Sequence, residues 1–157
     1  MNQPVKQPTD PEESYQRTYA CCMRLLAARE HSVLELQRKL SKREFPESVI
    51  EVVLEELRDQ NLQSDQRFAD VFVHSRFEHG YGPSRIRAEL RERGVNEGWS
   101  DAPFSELSGL WVDAASQQRE KRFGRCLPQV FKDQAKQMRF LQQRGYTGDQ
   151  IRAVFQQ

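Results

Sequence analysis

The chain lacks any apolar run approaching the ~18 residues that a membrane-spanning helix needs, and nothing alternates with the period of a strand over a useful length. Its three cysteines form no C-x-x-C pair: Cys21 and Cys22 are adjacent and Cys126 is remote. Neither a zinc site nor a redox couple is expected from them, and they read as reduced, small, mostly buried side chains. Histidine is equally sparse. His31 stands alone at a helix start, and His74 and His79 are five apart, off the i, i+4 face that holds a metal. No cofactor and no metal are expected, and carboxylates such as Glu55 and Glu56 read as a solvated helix surface. The segment "GYGPSRIRA" has two glycines near a helix start but no lysine to reach a terminal phosphate, which excludes a P-loop ATPase. With no convergent nucleophile, base or ligand set, the chain is not expected to be an enzyme.

What is present is charge. The 157 residues are 37% hydrophobic and 30% charged, with a net charge of only +1, a balance that suits a helix-rich protein with thin cores. The sign is unevenly spread. Residues 1 to 70 carry 10 basic and 13 acidic side chains, residues 71 to 157 carry 14 and 10, and between Arg119 and Arg152 nine basic residues meet three acidic ones. Such an excess can face phosphate or an acidic protein surface, or can simply be a solvated set of helix faces. The polar start "MNQPVKQPTDPEESYQ" has no basic segment leading into an apolar one, so a cytoplasmic location is expected.

An internal repeat organises the rest. "LSKREF" (40 to 45), "LRERGV" (90 to 95) and "LQQRGY" (141 to 146) share a leucine, three polar residues ending in arginine, a turn residue and an apolar residue. The leucines recur at a period of about fifty, the signature of a tandem helical array. Each hexad predicts a helix end in which the apolar residue folds back onto the leucine: Val95 onto Leu90 through Gly94, and Tyr146 onto Leu141 through Gly145. In the first copy Phe45 meets Leu40, but Glu44 stands where glycine belongs, so that turn is strained or ends differently. Arg43, Arg93 and Arg144 lie where a cation complements the helix dipole.

Amphipathic helices flank these turns. Ile50, Val53, Leu54 and Leu57 follow the first copy after Pro46, and Ile151, Val154 and Phe155 follow the third. After the second, "NEGWSDAPFSEL" predicts a short or broken helix. A closing helix is expected after Ser64 with Phe68, Val71, Phe72 and Ser75 on one face, and another with Leu107, Leu110, Trp111 and Ala114. Upstream, Tyr19, Cys22, Met23, Leu26 and Ala27 form a further stripe. The expected fold is all-α: a disordered tail (1–12), an N-terminal helix (13–31), three-helix repeats at 32–81 and 82–124, and a shortened third at 125–157, together an elongated curved array.

"HGYGPSRIRAELRERGV" then reads as the joint between two repeats rather than a phosphate cradle. A helix-hairpin-helix element is a rival, but Pro83 removes one backbone donor and Ile86 fills a place that wants a small residue. Aromatics interleave with the basic excess: Phe123 lies among Lys121, Arg122 and Arg125, and Phe140 beside Arg139. Stacking on single-stranded bases is open to them, as is core packing.

The run "SRFEHGYGPSRIRAELRERGV", with "REHSVLELQRKL", "REKRFG" and "MRFLQQRGYTGDQIRAVF", resembles the RecX family of bacterial regulators of the RecA recombinase. The resemblance covers about residues 15 to 157, departing at the degenerate segment from Gly98 to Pro103 and at Glu44. It implies tandem three-helix repeats. It also implies a regulator that lodges in the RecA nucleoprotein filament and restrains its ATPase, strand-exchange and coprotease activities in recombination and the SOS response, with single- or double-stranded DNA as a further partner. A monomer is expected. The other class of function is a helical module that binds single-stranded DNA without RecA. The charge excess, and no family motif, nominates Arg85, Arg87, Arg91, Arg119, Lys121, Arg122 and Arg125 as the partner-facing set.

Overall fold

The computed structural model describes residues 10–156, which contain no strand. The helices are α1 (Pro11–Ala28), α2 (Val33–Lys42), α3 (Glu47–Asp59), α4 (Asp65–Glu78), α5 (Pro83–Glu92), α6 (Asp101–Glu106), α7 (Trp111–Phe123), α8 (Phe131–Arg144) and α9 (Gly148–Val154), with a 3₁₀ turn at Glu97–Ser100. Most of the expected disordered tail lies outside the described residues. Pro11 and Glu12 already belong to α1, where proline supplies the preset φ of a first turn and Glu12 and Glu13 face the positive end of the dipole. The chain divides into two compact units between Phe68 and Ala69.

In the first unit α1 packs on α2 and α3. The core is Cys21, Cys22, Leu36, Leu40, Ile50, Val53, Leu54 and Leu57, so the α3 stripe read from the sequence is buried throughout. On α1 the buried face is Ser14, Thr18, Cys21 and Cys22. Ala27, assigned to the stripe, is exposed, because the helix ends a residue later and has nothing left to cover. Ser32 caps α2 in a reciprocal capping box with Glu35. Tyr15 donates to the Glu56 carboxylate on α3, and this bond, ahead of burial, pushes the phenol up to about 12.

All three helix-ending hexads form the same turn. The amide of the apolar residue donates to the leucine carbonyl at 3.3 Å (Phe45 to Leu40), 3.1 Å (Val95 to Leu90) and 3.2 Å (Tyr146 to Leu141). The residue before it is left-handed each time: Glu44 at φ 62°, Gly94 at 71° and Gly145 at 95°. Glu44 thus completes the turn in the region that disfavours a Cβ, at a penalty of ~1 kcal/mol or more. Glu44→Gly is expected to stabilise the first unit by about 0.5–1 kcal/mol, less than the full penalty because glycine also loosens the unfolded chain. A higher urea midpoint at unchanged m-value checks this; a lower one refutes the strain.

In the second unit α7 packs against both α8 and α9. Ile86, Leu90 and Val95, Phe104, Leu107, Trp111 and Ala115, and Leu141, Tyr146, Ile151 and Val154 are buried. Ser64 accepts from the Arg67 amide and so caps α4 as expected. The inward face of α4 differs from the one read from the sequence: Phe68, Ala69 and Val73 are buried, and Val71 is 55% exposed. Leu110 is likewise 47% exposed, because it precedes α7 instead of lying on its inner face. The degenerate span becomes the 3₁₀ turn and the short α6, with Pro103 in the first turn of α6, where its missing N–H leaves no bond unmade.

Candidate functional site

The segment Gly80–Pro83 and the turn Arg144–Tyr146 meet backbone to backbone. The Gly82 amide donates to the Arg144 carbonyl (2.8 Å), and the Ser84 amide to the Gly145 carbonyl (3.0 Å). In return Arg144 donates through Nε to the Gly80 carbonyl (2.8 Å) and through Nη2 to that of His79 (2.9 Å), and the Tyr146 hydroxyl donates to Gly80 (3.1 Å). The start of α5 therefore receives the carbonyl end of α8, positive pole to negative pole. The amides that made this segment resemble a phosphate cradle are taken up by carbonyls. Burial raises the Tyr146 phenol to about 12, so it remains a donor at physiological pH.

Above this joint Tyr81 is surrounded by cations. The guanidinium carbons of Arg76, Arg85 and Arg144 lie 3.9, 4.3 and 4.8 Å from its ring centroid. Glu89 bridges two of them, at 2.6 Å from Arg76 and 2.9 Å from Arg85. Burial alone would raise the Glu89 carboxyl, but the hydrogen bonds and charges of the two arginines prevail and hold it below the ordinary range.

Beside the joint opens a cleft of about 500 Å³ lined by Glu78, His79, Gln118, Lys121, Arg122, Phe140 and Arg144. Phe140 packs edge-on against Phe123 (5.4 Å), and Arg122 and Arg144 lie 5.1 and 5.6 Å from its centroid. Three cations, one carboxylate and an aromatic ring suit an anionic group carried on a flat or apolar body. The two phenylalanines, for which core packing and base stacking were both open, are half-buried and packed against each other.

The seven nominated basic residues fall into different environments. Lys121 and Arg122 come together in the cleft. Arg125 is exposed. Arg91 is exposed and holds a loose 3.4 Å pair with Glu97. Arg85 is committed to Tyr81 and Glu89, and Arg87 lies 3.9 Å over the Phe104 ring. Arg119 is corrected: it is 2% exposed and faces no solvent. Its Nη1 donates to the Cys126 carbonyl (3.3 Å) and the Gln137 side chain (3.2 Å), and its Nη2 to the Arg125 carbonyl (3.0 Å). The heptad position of Arg119, four residues after the buried Ala115, carries the only hint of this in the sequence. Of the cleft residues the nominated set omits, Arg144 was readable only as a helix-dipole cation, because its partners lie more than sixty residues away.

Comparison with known proteins agrees with the repeat. Family models described as the first, second and third three-helix domains of RecX match residues 19–57, 64–102 and 112–155. They group α1–α3, α4–α6 and α7–α9, a frame that starts one helix before the leucine-anchored one. In it the N-terminal helix and the shortened third copy become parts of three complete domains. A regulatory protein RecX of Halorhodospira halophila is 44% identical over 84% of this chain and 82% of its own, and one of Cronobacter sakazakii is 37% identical over 94% and 95%. A crystal structure of RecX from Lactobacillus salivarius superposes with a TM-score of 0.77 at 20% identity, covering 92% of this chain and 96% of that one. A second, titled regulatory protein RecX, gives 0.82 at 21% identity, covering 93% and 75%. Built of these three consecutive domains and this similar over most of its length, the chain belongs to the RecX family of regulatory proteins.

Proposed function

We propose that this chain binds the RecA nucleoprotein filament and restrains its ATPase, strand-exchange and coprotease activities, acting by contact rather than catalysis. Membership of the RecX family carries the reading, and the distribution of basic side chains supports it. Lys121 and Arg122 line the cleft with Phe140, and Arg125, close by in the chain, is exposed as they are. Arg91 extends the set, whereas Arg119 is withdrawn from it because a buried guanidinium cannot touch a partner. An acidic protein surface, or DNA held within the filament, would meet such a patch with charges largely in water, so the contact tunes association more than it stabilises a rigid complex.

The triple reversal Lys121→Glu, Arg122→Glu and Arg125→Glu is expected to leave the circular dichroism spectrum unchanged and to weaken inhibition of RecA ATPase at least tenfold at moderate salt. Undiminished inhibition by the folded variant refutes the assignment of this patch. Binding to bare single-stranded DNA across a salt series distinguishes the second class of function. A phosphate-driven module binds without RecA and loses affinity as a power of salt concentration.

A further inference from the structure

We propose that Asp70, His74 and Glu106 form a binding site for a divalent transition metal of the zinc type within the second three-helix domain. Asp70 and His74 are one turn apart on α4 and share a face, and Glu106 ends α6 opposite them. One ligand atom from each lies within 4.8 Å of the others.

The imidazole is oriented as a ligand. His74 Nδ1 is 2.9 Å from the Asp70 carbonyl oxygen, an acceptor, so Nδ1 carries the hydrogen. In the neutral ring Nε2 then keeps its lone pair, and it lies 3.3 Å from Glu106 Oε2. A proton on Nε2 makes this contact an ion pair, and a divalent ion can take that proton's place between the same two atoms. Holding one ring nitrogen on a carbonyl so that the other is free for the ion is how metal-bound histidines are set. Two ligand atoms on one tetrahedral zinc, each at about 2.0–2.1 Å, stand roughly 3.3 Å apart. Nε2 and Oε2 already have that separation.

The third ligand must move. Asp70 Oδ1 is 3.6 Å from Nδ1, the other ring nitrogen, and with its side chain 56% exposed it is able to swing along the ring edge toward an ion on Nε2. His74 is 38% and Glu106 64% exposed, so an ion enters from solvent without opening the core. One imidazole and two carboxylates leave a fourth position to water, and the expected gain is a fastening of the end of α6 to α4. The pattern in the sequence is Asp70-x-x-x-His74, an i, i+4 ligand pair, rather than the five-residue step from His74 to His79.

The test uses the full-length, tag-free chain. Isothermal titration with Zn²⁺ at neutral pH is expected to give one ion per chain. His74→Ala should lower the affinity by about tenfold or more, as should Asp70→Asn with Glu106→Gln, while His79→Ala should leave it unchanged. Substitution by Co²⁺ should give the visible d–d bands of a four-coordinate nitrogen and oxygen site. Circular dichroism of the metal-free variants confirms that each is folded. The proposal is overturned by no saturable binding, which leaves only a proton between His74 and Glu106. It is overturned equally by binding that survives His74→Ala, or by a thiolate charge-transfer band, which places the ion on Cys126.

Discussion

Gly82→Ala is expected to destabilise the second unit by about 2–3 kcal/mol, the upper range for overpacking a close contact. Gly82 has an ordinary φ of −86°, so alanine meets no backbone strain of its own. The difficulty is space. A Cβ there would lie 2.3 Å from the Gly145 carbonyl carbon and from the Tyr146 amide nitrogen, both main-chain atoms that cannot swing aside. The α5 start must lift away, and the hydrogen bonds from Gly82 and Ser84 lengthen together. Gly145→Ala should be at least as damaging, since its φ is 95° and its Cβ would meet Arg85 Cβ at 2.3 Å. Because both substitutions separate the same two strips of backbone, their effects should fall well short of additive. Urea denaturation of the two single variants and the double variant measures this. Full additivity, or a Gly82→Ala midpoint equal to that of the parent, removes the joint from the account of stability.

Arg119→Met is expected to destabilise by about 2–3 kcal/mol, although methionine fills much of the same volume. The guanidinium is the common donor to the Arg125 and Cys126 carbonyls and the Gln137 side chain, and so fixes the chain between α7 and α8. Its own fit is incomplete: Nε has no partner among the described residues, and Glu120 approaches only to 3.9 Å. Without Arg119, Gln137 is left buried and short of a donor, while the two carbonyls can turn to water. Arg119→Lys should recover less than half of the loss, because one ammonium nitrogen cannot occupy the positions of both Nη1 and Nη2. Stability of the methionine variant equal to the parent would show that the residue is tolerated in the core rather than required there. The two predictions also bear on functional mutagenesis. On the proposed function, a loss of RecA inhibition after changing Arg119 would report unfolding of the α7–α8 segment, whereas a loss after changing Lys121 or Arg122 would report contact.

The sequence was most legible where the determinants are local. Each Leu-x-x-Arg-turn-apolar hexad names both members of a contact six residues long, and all three turns formed, the glutamate version included. The α3 stripe was equally plain because Glu51, Glu55 and Arg58 mark its other face, with Val52 the one apolar residue exposed among them. The α4 face was not, since "FADVFVHSRF" offers apolar side chains all round the helix and pattern alone does not choose between Val71 and Val73. The site was less legible than the fold. Arginines read as one cationic set divide into buried, stacked and free, and only tertiary partners such as Gln137, Tyr81 and Phe104 decide which is which. Asp70 stands one helical turn before His74, a pairing that a reading of the histidines alone passes over. Glu106 is brought to them by the broken second helix, whose path the sequence left open.

The joint between Gly80–Ser84 and Arg144–Tyr146 sets an order of events during synthesis. The ribosome releases the glycine segment some sixty residues before its partner. Through that interval the carbonyl of Gly80 and the amides of Gly82 and Ser84 have only water to bond, and Tyr81 can gather Arg76 and Arg85 but not Arg144. The first unit can settle as it emerges, since the residues of its core all precede Phe68. The second waits with an unfinished helix start exposed, and the nascent chain is most open to proteases and chaperones over this stretch.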